Sequence, residues 1–312
     1  MSPRRGRTEE FTSYYGRPIL KEPTWQALDI AGYIFAGGLA GASSILAAGA
    51  QHTDRPGLER SAKLTALAAI SASVVALVHD LGRPERFVNM LRVAKPTSPM
   101  SVGSWILSAY GPLAGATAAA NVLGIFPRAG KAAGIGAGIT GSAVATYTAV
   151  LLADTAVPTW HDAHERLPFV FASSAAASAG GLAAALAPIA QGQPARRMAI
   201  GGAAAEIALS VAVERSGNLS AETLHEGRAG VLLRLSKAFT VGGAVGLALG
   251  GRSSRGVSTL SGLAVAAGSA LLRFGFFEAG RASTRDPKYV VVPQRERLAA
   301  RQEAAVGADT MG

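Results

Sequence analysis

Four stretches of this chain carry no charged side chain: residues 30–50, 96–127, 132–153 and 167–195. Each is long enough to cross a bilayer, because about 30 Å of hydrocarbon takes roughly 20 apolar residues in a helix. A buried helix of a soluble bundle keeps a polar face at the helical period. Residues 167–195 offer only Ser and Gln as polar side chains and no solvated stripe. Four further stretches, 64–81, 198–213, 229–251 and 256–277, are short or interrupted by charge, as at Glu206, Arg234, Lys237 and Arg273. Together they predict an all-α integral membrane protein with about eight transmembrane helices in two four-helix bundles, the sixth span being the weakest.

The composition agrees. Only 16% of residues are charged, against about a quarter in soluble domains. The 38 glycines suit helices that pack closely in lipid. Small residues four apart, as at Gly37 and Gly41 or Gly134 and Gly138, fit the same reading. Mean hydropathy is only +0.28 because Ala and Gly score low. There is no cysteine, which excludes disulfides, cysteine-ligated clusters, thiolate zinc sites and cysteine nucleophiles together.

Orientation follows from Lys and Arg. With eight spans, the face holding both termini carries 18 of them and the other face nine. Both termini are therefore expected to be cytoplasmic, in a bacterial inner membrane. The net charge of +10 is explained by this bias, with no aromatic-basic pattern for nucleic acid. At the start, Arg4, Arg5 and Arg7 precede Glu9 and Glu10 rather than an apolar core, unlike a cleaved signal. The expected organisation is a partner-binding arm over 1–26, one four-helix half over 27–156, a second over 165–280, and a cytoplasmic tail over 281–312.

The most specific stretch joins the second and third spans. It reads His79-Asp80-Leu81-Gly82-Arg83-Pro84-Glu85-Arg86-Phe87, then Pro96-Thr97-Ser98-Pro99-Met100-Ser101, then Gly103-Ser104-Trp105. Asp80 is expected to end a helix at the membrane boundary, Gly82 to permit a sharp turn, and Pro84 to stop the helix. Arg83 and Arg86 are available to neutralise Asp80 or to meet an acidic partner.

These runs, with Tyr33 to Gly41 in the first span and Tyr147 to Leu152 in the fourth, resemble the NrfD/PsrC family of polysulfide-reductase-like membrane subunits. Ala149 stands where the family's run more usually has Gly. The resemblance is strongest over roughly residues 14–160; the second half agrees in span number and Ala/Gly character. It implies a quinone- or quinol-reactive membrane subunit of a multi-subunit oxidoreductase. An iron–sulfur subunit docks on it and serves a molybdopterin catalytic subunit. Clusters and molybdopterin belong to those partners, and the subunit itself carries neither haem nor metal. The resemblance allows coupled proton translocation. It assigns Asp80 as the acid near the quinone head and Tyr147 as the phenol that hydrogen-bonds it. Where the family often presents Asn or His in its first helix, this chain offers Gln26 and Asp29, and His79 is a further candidate. Arg83 and Arg86 fall on the docking face.

Such residue types suit the chemistry. Quinol oxidation releases two protons with its two electrons, so the carbonyl oxygens need carboxylate, imidazole or phenol partners tuned by burial. Charges inside the later spans cost roughly 2.5–3.5 kcal/mol each on insertion scales and are functional candidates. Glu206 is expected either to pair with Arg234 or Lys237 or to join them in a proton route, and Arg273 to snorkel to the headgroups. His161 and His164, near Asp162 and Glu165, read as an ordinary polar turn rather than a metal site. Two rival functions remain at this stage, a secondary transporter and a passive membrane anchor.

Overall fold

The computed structural model describes residues 19–83 and 85–309, and every regular element among them is helical. The basic start of the N-terminal arm and the helix stop expected at Pro84 lie outside the described residues. In chain order the elements are α1 (Ala27–His52), α2 (Pro56–Asp80), α3 (Glu85–Leu91), α4 (Pro99–Leu123), α5 (Pro127–Ala153) and α6 (Pro158–Asp162). There follow α7 (Leu167–Leu186), α8 (Gln193–Glu214), a 3-10 turn (Leu219–Leu224), α9 (Gly227–Leu249), α10 (Arg255–Arg285) and α11 (Lys288–Asp309).

Proline opens many of these helices. Pro56, Pro99, Pro127 and Pro158 sit at first-turn positions, where the missing N–H costs nothing. Ser98 caps α4 by accepting from the Ser101 N–H, and Ser254 caps α10 through Val257. Gly82, at φ 66°, makes the turn after α2 that the sequence required.

Among the described residues, seven helices are long and apolar enough to cross a membrane: α1, α2, α4, α5, α7, α9 and α10. Of the eight expected spans the one left out is α8, which carries Arg196, Arg197, Glu206 and Glu214 within its 22 residues. It nevertheless runs antiparallel along the length of α7: Arg166 at the start of α7 donates to the Ala212 carbonyl near the end of α8, at 2.6 Å.

The two ends of the bundle are pinned by different contacts. At one end the extended segment before α1 is held by Glu22, which takes ion pairs from Arg281 at 2.8 Å and Arg285 at 2.7 Å, both on α10. Trp25 of that segment stacks on Trp160 of α6, whose indole donates to the Phe276 carbonyl at 2.8 Å. At the other end the Gln191 side chain accepts from the Gly57 N–H at 2.7 Å, and Arg255 reaches the carbonyls of Ala185 and Ala187.

Close packing in the middle depends on small residues. Gly41 of α1 lies on the α5 backbone, where an added Cβ would stand 3.1 Å from the Ala145 nitrogen and collide with the Gly141 carbonyl. The α1–α5 approach that this permits sets how near the side chains of Tyr33 and Tyr147 come.

Candidate quinone site

The end pinned by Glu22 holds a cavity of about 120 Å³ among α1, α2, α3, α4 and α5. Asp80 closes α2 on one side of it, and Tyr147, a turn and a half from the end of α5, faces it from another. Two sequence-predicted residues from separate helices thus line one pocket. The walls are otherwise mostly apolar: Trp25, Ile30, Leu77, Met90, Met100 and Leu107 contribute. Few polar groups in an apolar cavity is the usual composition of a small-molecule site. The volume, about 120 Å³, is near that of engineered cavities of about 150 Å³ that take benzene, so it has room for about one six-membered ring. Met90 and Met100, being unbranched and adaptable, are suited to yield to a larger ring.

The structure adds a residue that sequence reasoning did not assign to the site. Tyr33 of α1 is 2% exposed, and its hydroxyl is hydrogen-bonded to that of Tyr147. Ser73 of α2 donates to the Tyr33 carbonyl at 3.1 Å and holds that turn against α2. Gly103 of α4 supports the pair from the other side, since an added Cβ there would overlap the Tyr147 ring. Tyr33 belongs to the run that carries the resemblance, but nothing local in sequence pairs it with a phenol on the fourth span.

The remaining first-helix candidates lie around the cavity rather than in it. Asp29 is buried and hydrogen-bonded to the largely exposed His79 ring at 2.9 Å, so each occupies the other. Gln26 has an exposed side chain, and its main chain lies within hydrogen-bonding reach of the Asp80 carboxylate. Arg83 and Arg86 are exposed beside the cavity mouth, Arg86 donating to the Leu81 carbonyl at 3.3 Å.

In the second half, the expected pairing of Glu206 with Arg234 or Lys237 is not formed. Lys237 pairs with Glu214 at 2.6 Å, and Arg234 donates to the His225 carbonyl at 3.4 Å. Nor does Arg273 snorkel: it is 2% exposed, stacked 4.0 Å from the Phe171 ring centre and bonded to that residue's carbonyl at 2.7 Å. Burial against α7, and a helix long enough to carry Glu278 and Arg281 beyond it, keep Arg273 from the headgroups. Near α6 the rings of His161 and His164 stack, and each ring Nδ1 contacts a main-chain carbonyl. Among the described residues, no group of three or more His, Cys, Asp or Glu is placed to hold a metal ion.

A mostly apolar groove of about 400 Å³ runs along another face of α4 and α5. Val102, Trp105 and Ile106 of α4 and Ala143 of α5 line it.

No curated protein matches the chain. The family described as "Polysulphide reductase, NrfD" matches it over residues 20–283, which includes the cavity and α1 to α10 but for the last two residues of α10, and leaves out α11. The chain therefore belongs to the NrfD polysulphide reductase family, membrane subunits of quinone-reactive oxidoreductase complexes.

Proposed function

We propose that the cavity binds a quinone or quinol head and that Asp80, Tyr147 and Tyr33 serve its proton chemistry. The carrying observation is the convergence of Asp80 and Tyr147 on one apolar pocket. Oxidation of a bound quinol supplies two electrons to the complex and two protons to the site. The Tyr147 hydroxyl donates a hydrogen bond to one ring oxygen while Tyr33 fixes its direction. The Asp80 carboxylate, across the cavity from Tyr147, accepts the two protons one after the other and passes each out to water before the next. His79 and Asp29 lie beside that exit. The apolar walls keep bulk water from the ring, and the groove at Trp105 takes the isoprenoid tail.

Electrons move between this ring and an iron–sulfur subunit seated over the 82–95 loop, where Arg83 and Arg86 meet acidic groups of the partner. That subunit serves a molybdopterin catalytic subunit. We read α8 as an eighth crossing and the cavity face as cytoplasmic in a bacterial inner membrane. Two observations support this: the Glu22 clamp brings the start of α1 and the end of α10 to one face, which requires an even number of crossings, and that face is the more basic.

The test is quinol-dependent turnover by the intact complex carrying Asp80→Asn or Tyr147→Phe. Loss of a positioned proton acceptor is expected to cost about 10²-fold or more in Asp80→Asn. The phenol variant is expected to cost about tenfold. Full activity in both would make the subunit a passive anchor. Isolation without any iron–sulfur partner would favour a transporter.

A further inference from the structure

Four buried polar atoms in the second half have no protein hydrogen-bond partner: Glu206 Oε2, Ser210 Oγ, and Nε and Nη1 of Arg273. Buried polar groups are nearly always satisfied, and those that no protein atom reaches take water. The four share a neighbourhood. Glu206 and Ser210 are one turn apart on α8. The Glu206 carboxylate accepts from Thr240 of α9 at 3.1 Å, beside the Ser174 hydroxyl of α7 and the Arg273 charge of α10. Ser174 in turn bonds Ser269, one turn from Arg273, at 2.5 Å. Glu206 is 0% exposed, yet its second oxygen and two guanidinium nitrogens of Arg273 remain without a direct partner.

The polar stripe continues to the surface at the cavity end. Glu214 follows Ser210 by one turn on α8, so Glu206 lies about 12 Å below it at ~1.5 Å per residue. Lys237 of α9 bonds Glu214 at 2.6 Å with 34% of its side chain exposed. Away from Glu206 in the other direction, two of the buried hydroxyls on α7 and α10 are taken up by main chain: Ser178 donates to the Ala175 carbonyl and Ser258 to that of Ala184. The charged groups along the stripe are Glu206 and Glu214 from α8, Lys237 from α9, Arg273 from α10 and, at the outer end, Arg166, which donates to the Ala212 carbonyl at 2.6 Å. The nearby stretches of α1 and α7 present Gly38, Phe171 and Ser174.

We propose that the second half holds a blind proton half-channel, separate from the quinone cavity, that opens on the same face. Glu214 and Lys237 form its mouth, Ser210 carries the relay through water, and Glu206 is the terminal group. A proton entering from water binds a Glu206 oxygen and neutralises it; on leaving, the carboxylate is balanced by Arg273, which keeps its own proton throughout. The site exchanges protons with one water phase only, which is what a loading site needs and a leak must avoid. This goes beyond the quinone reading and stands without it.

The experiment is infrared difference spectroscopy on the purified intact complex through a pH titration and after transfer to D₂O. A carboxylic C=O band is expected that shifts on deuteration and is missing from Glu206→Gln. Its exchange is expected to slow by about tenfold or more when Ser210→Ala and Glu214→Gln are combined. Should Glu206→Gln not fold, Glu206→Asp keeps the carboxyl and is expected to move the band instead. A spectrum unchanged in the Glu206 variant, or exchange as fast in the Ser210 and Glu214 double variant as in the parent, overturns the proposal. Neither readout needs quinone, so its failure and that of the quinone site are separately visible.

Discussion

Gly103→Ala tests the site geometry without touching a polar group. The new methyl would lie 2.9 Å from Cδ2 and 3.3 Å from Cζ of Tyr147, and closer still to the ring edge between them. Ordinary carbon contacts begin at about 3.5 Å, so the ring must retreat by about 1 Å. That displaces the hydroxyl from Tyr33 and, in the proposed quinol complex, from the ring oxygen. A hydrogen bond lost outright is worth about 1 kcal/mol, or roughly fivefold in rate. Removing the hydroxyl altogether in Tyr147→Phe is expected to cost about tenfold, which sets the ceiling for displacing it. Between these bounds, kcat/KM for quinol in the whole complex is expected to fall about 5- to 10-fold. Overpacking costs about 1–3 kcal/mol of stability, so complex yield and Tm are measured alongside and activity is normalised to assembled complex. In a Tyr147→Phe background the same substitution has no hydroxyl left to misplace, and its effect on turnover is expected to be small. Wild-type kcat/KM in Gly103→Ala, or a loss of equal size in both backgrounds, would refute the role given to this contact.

Two further outcomes can be checked directly. The Arg285 guanidinium, and Arg281 after it, holds the Glu22 carboxyl below its ordinary value of 4.5, so the clamp's contribution is full above that value and lost as pH falls through the lower folded one. Tryptophan emission from the Trp25–Trp160 stack is expected to stay constant on acidification until that range and then change. Glu22→Gln is expected to lack the acid step, and an identical step in the variant would exclude the clamp as its source. The second uses the absence of cysteine, which makes single-cysteine labelling free of background. With eight crossings, Lys21→Cys and Glu303→Cys should react with an impermeant maleimide from the same side, and Ser253→Cys from the other. Labelling of positions 21 and 303 from opposite sides would remove α8 from the membrane.

Much of the fold was legible because lipid imposes a simple demand. The charge-free stretches became α1, α4, α5 and α7, since only continuous helix satisfies the backbone in hydrocarbon. The pattern failed where function intervenes. Helix α8 carries charge at both ends and at Glu206, so hydropathy reports it weakly although it packs along α7. Site residues were legible only in part. Asp80 and Tyr147 stand out by type and position, but the Tyr33 hydroxyl bond depends on how close α1 and α5 pack, which Gly41 sets and spacing alone does not reveal. The partner of Lys237 was misread for a related reason. Arg234, Lys237 and Glu206 are the charges furthest inside their spans, whereas Glu214 at the end of α8 is the one that faces Lys237. Where the stretch around His161 reads as a polar turn, the chain begins at Pro158 the short helix α6 that supplies Trp160.

The Glu22 clamp has a consequence for synthesis. One wall of the cavity, Trp25, is made before α1, while the arginines that anchor its segment belong to α10 and are made after the other seven long helices of the bundle. Until α10 has inserted, the pocket lacks a fastened wall, and a truncated or half-inserted chain cannot offer a finished binding surface. Insertion of α10 thus acts as a checkpoint on the cavity, which is finished only when the second half of the bundle has packed against the first.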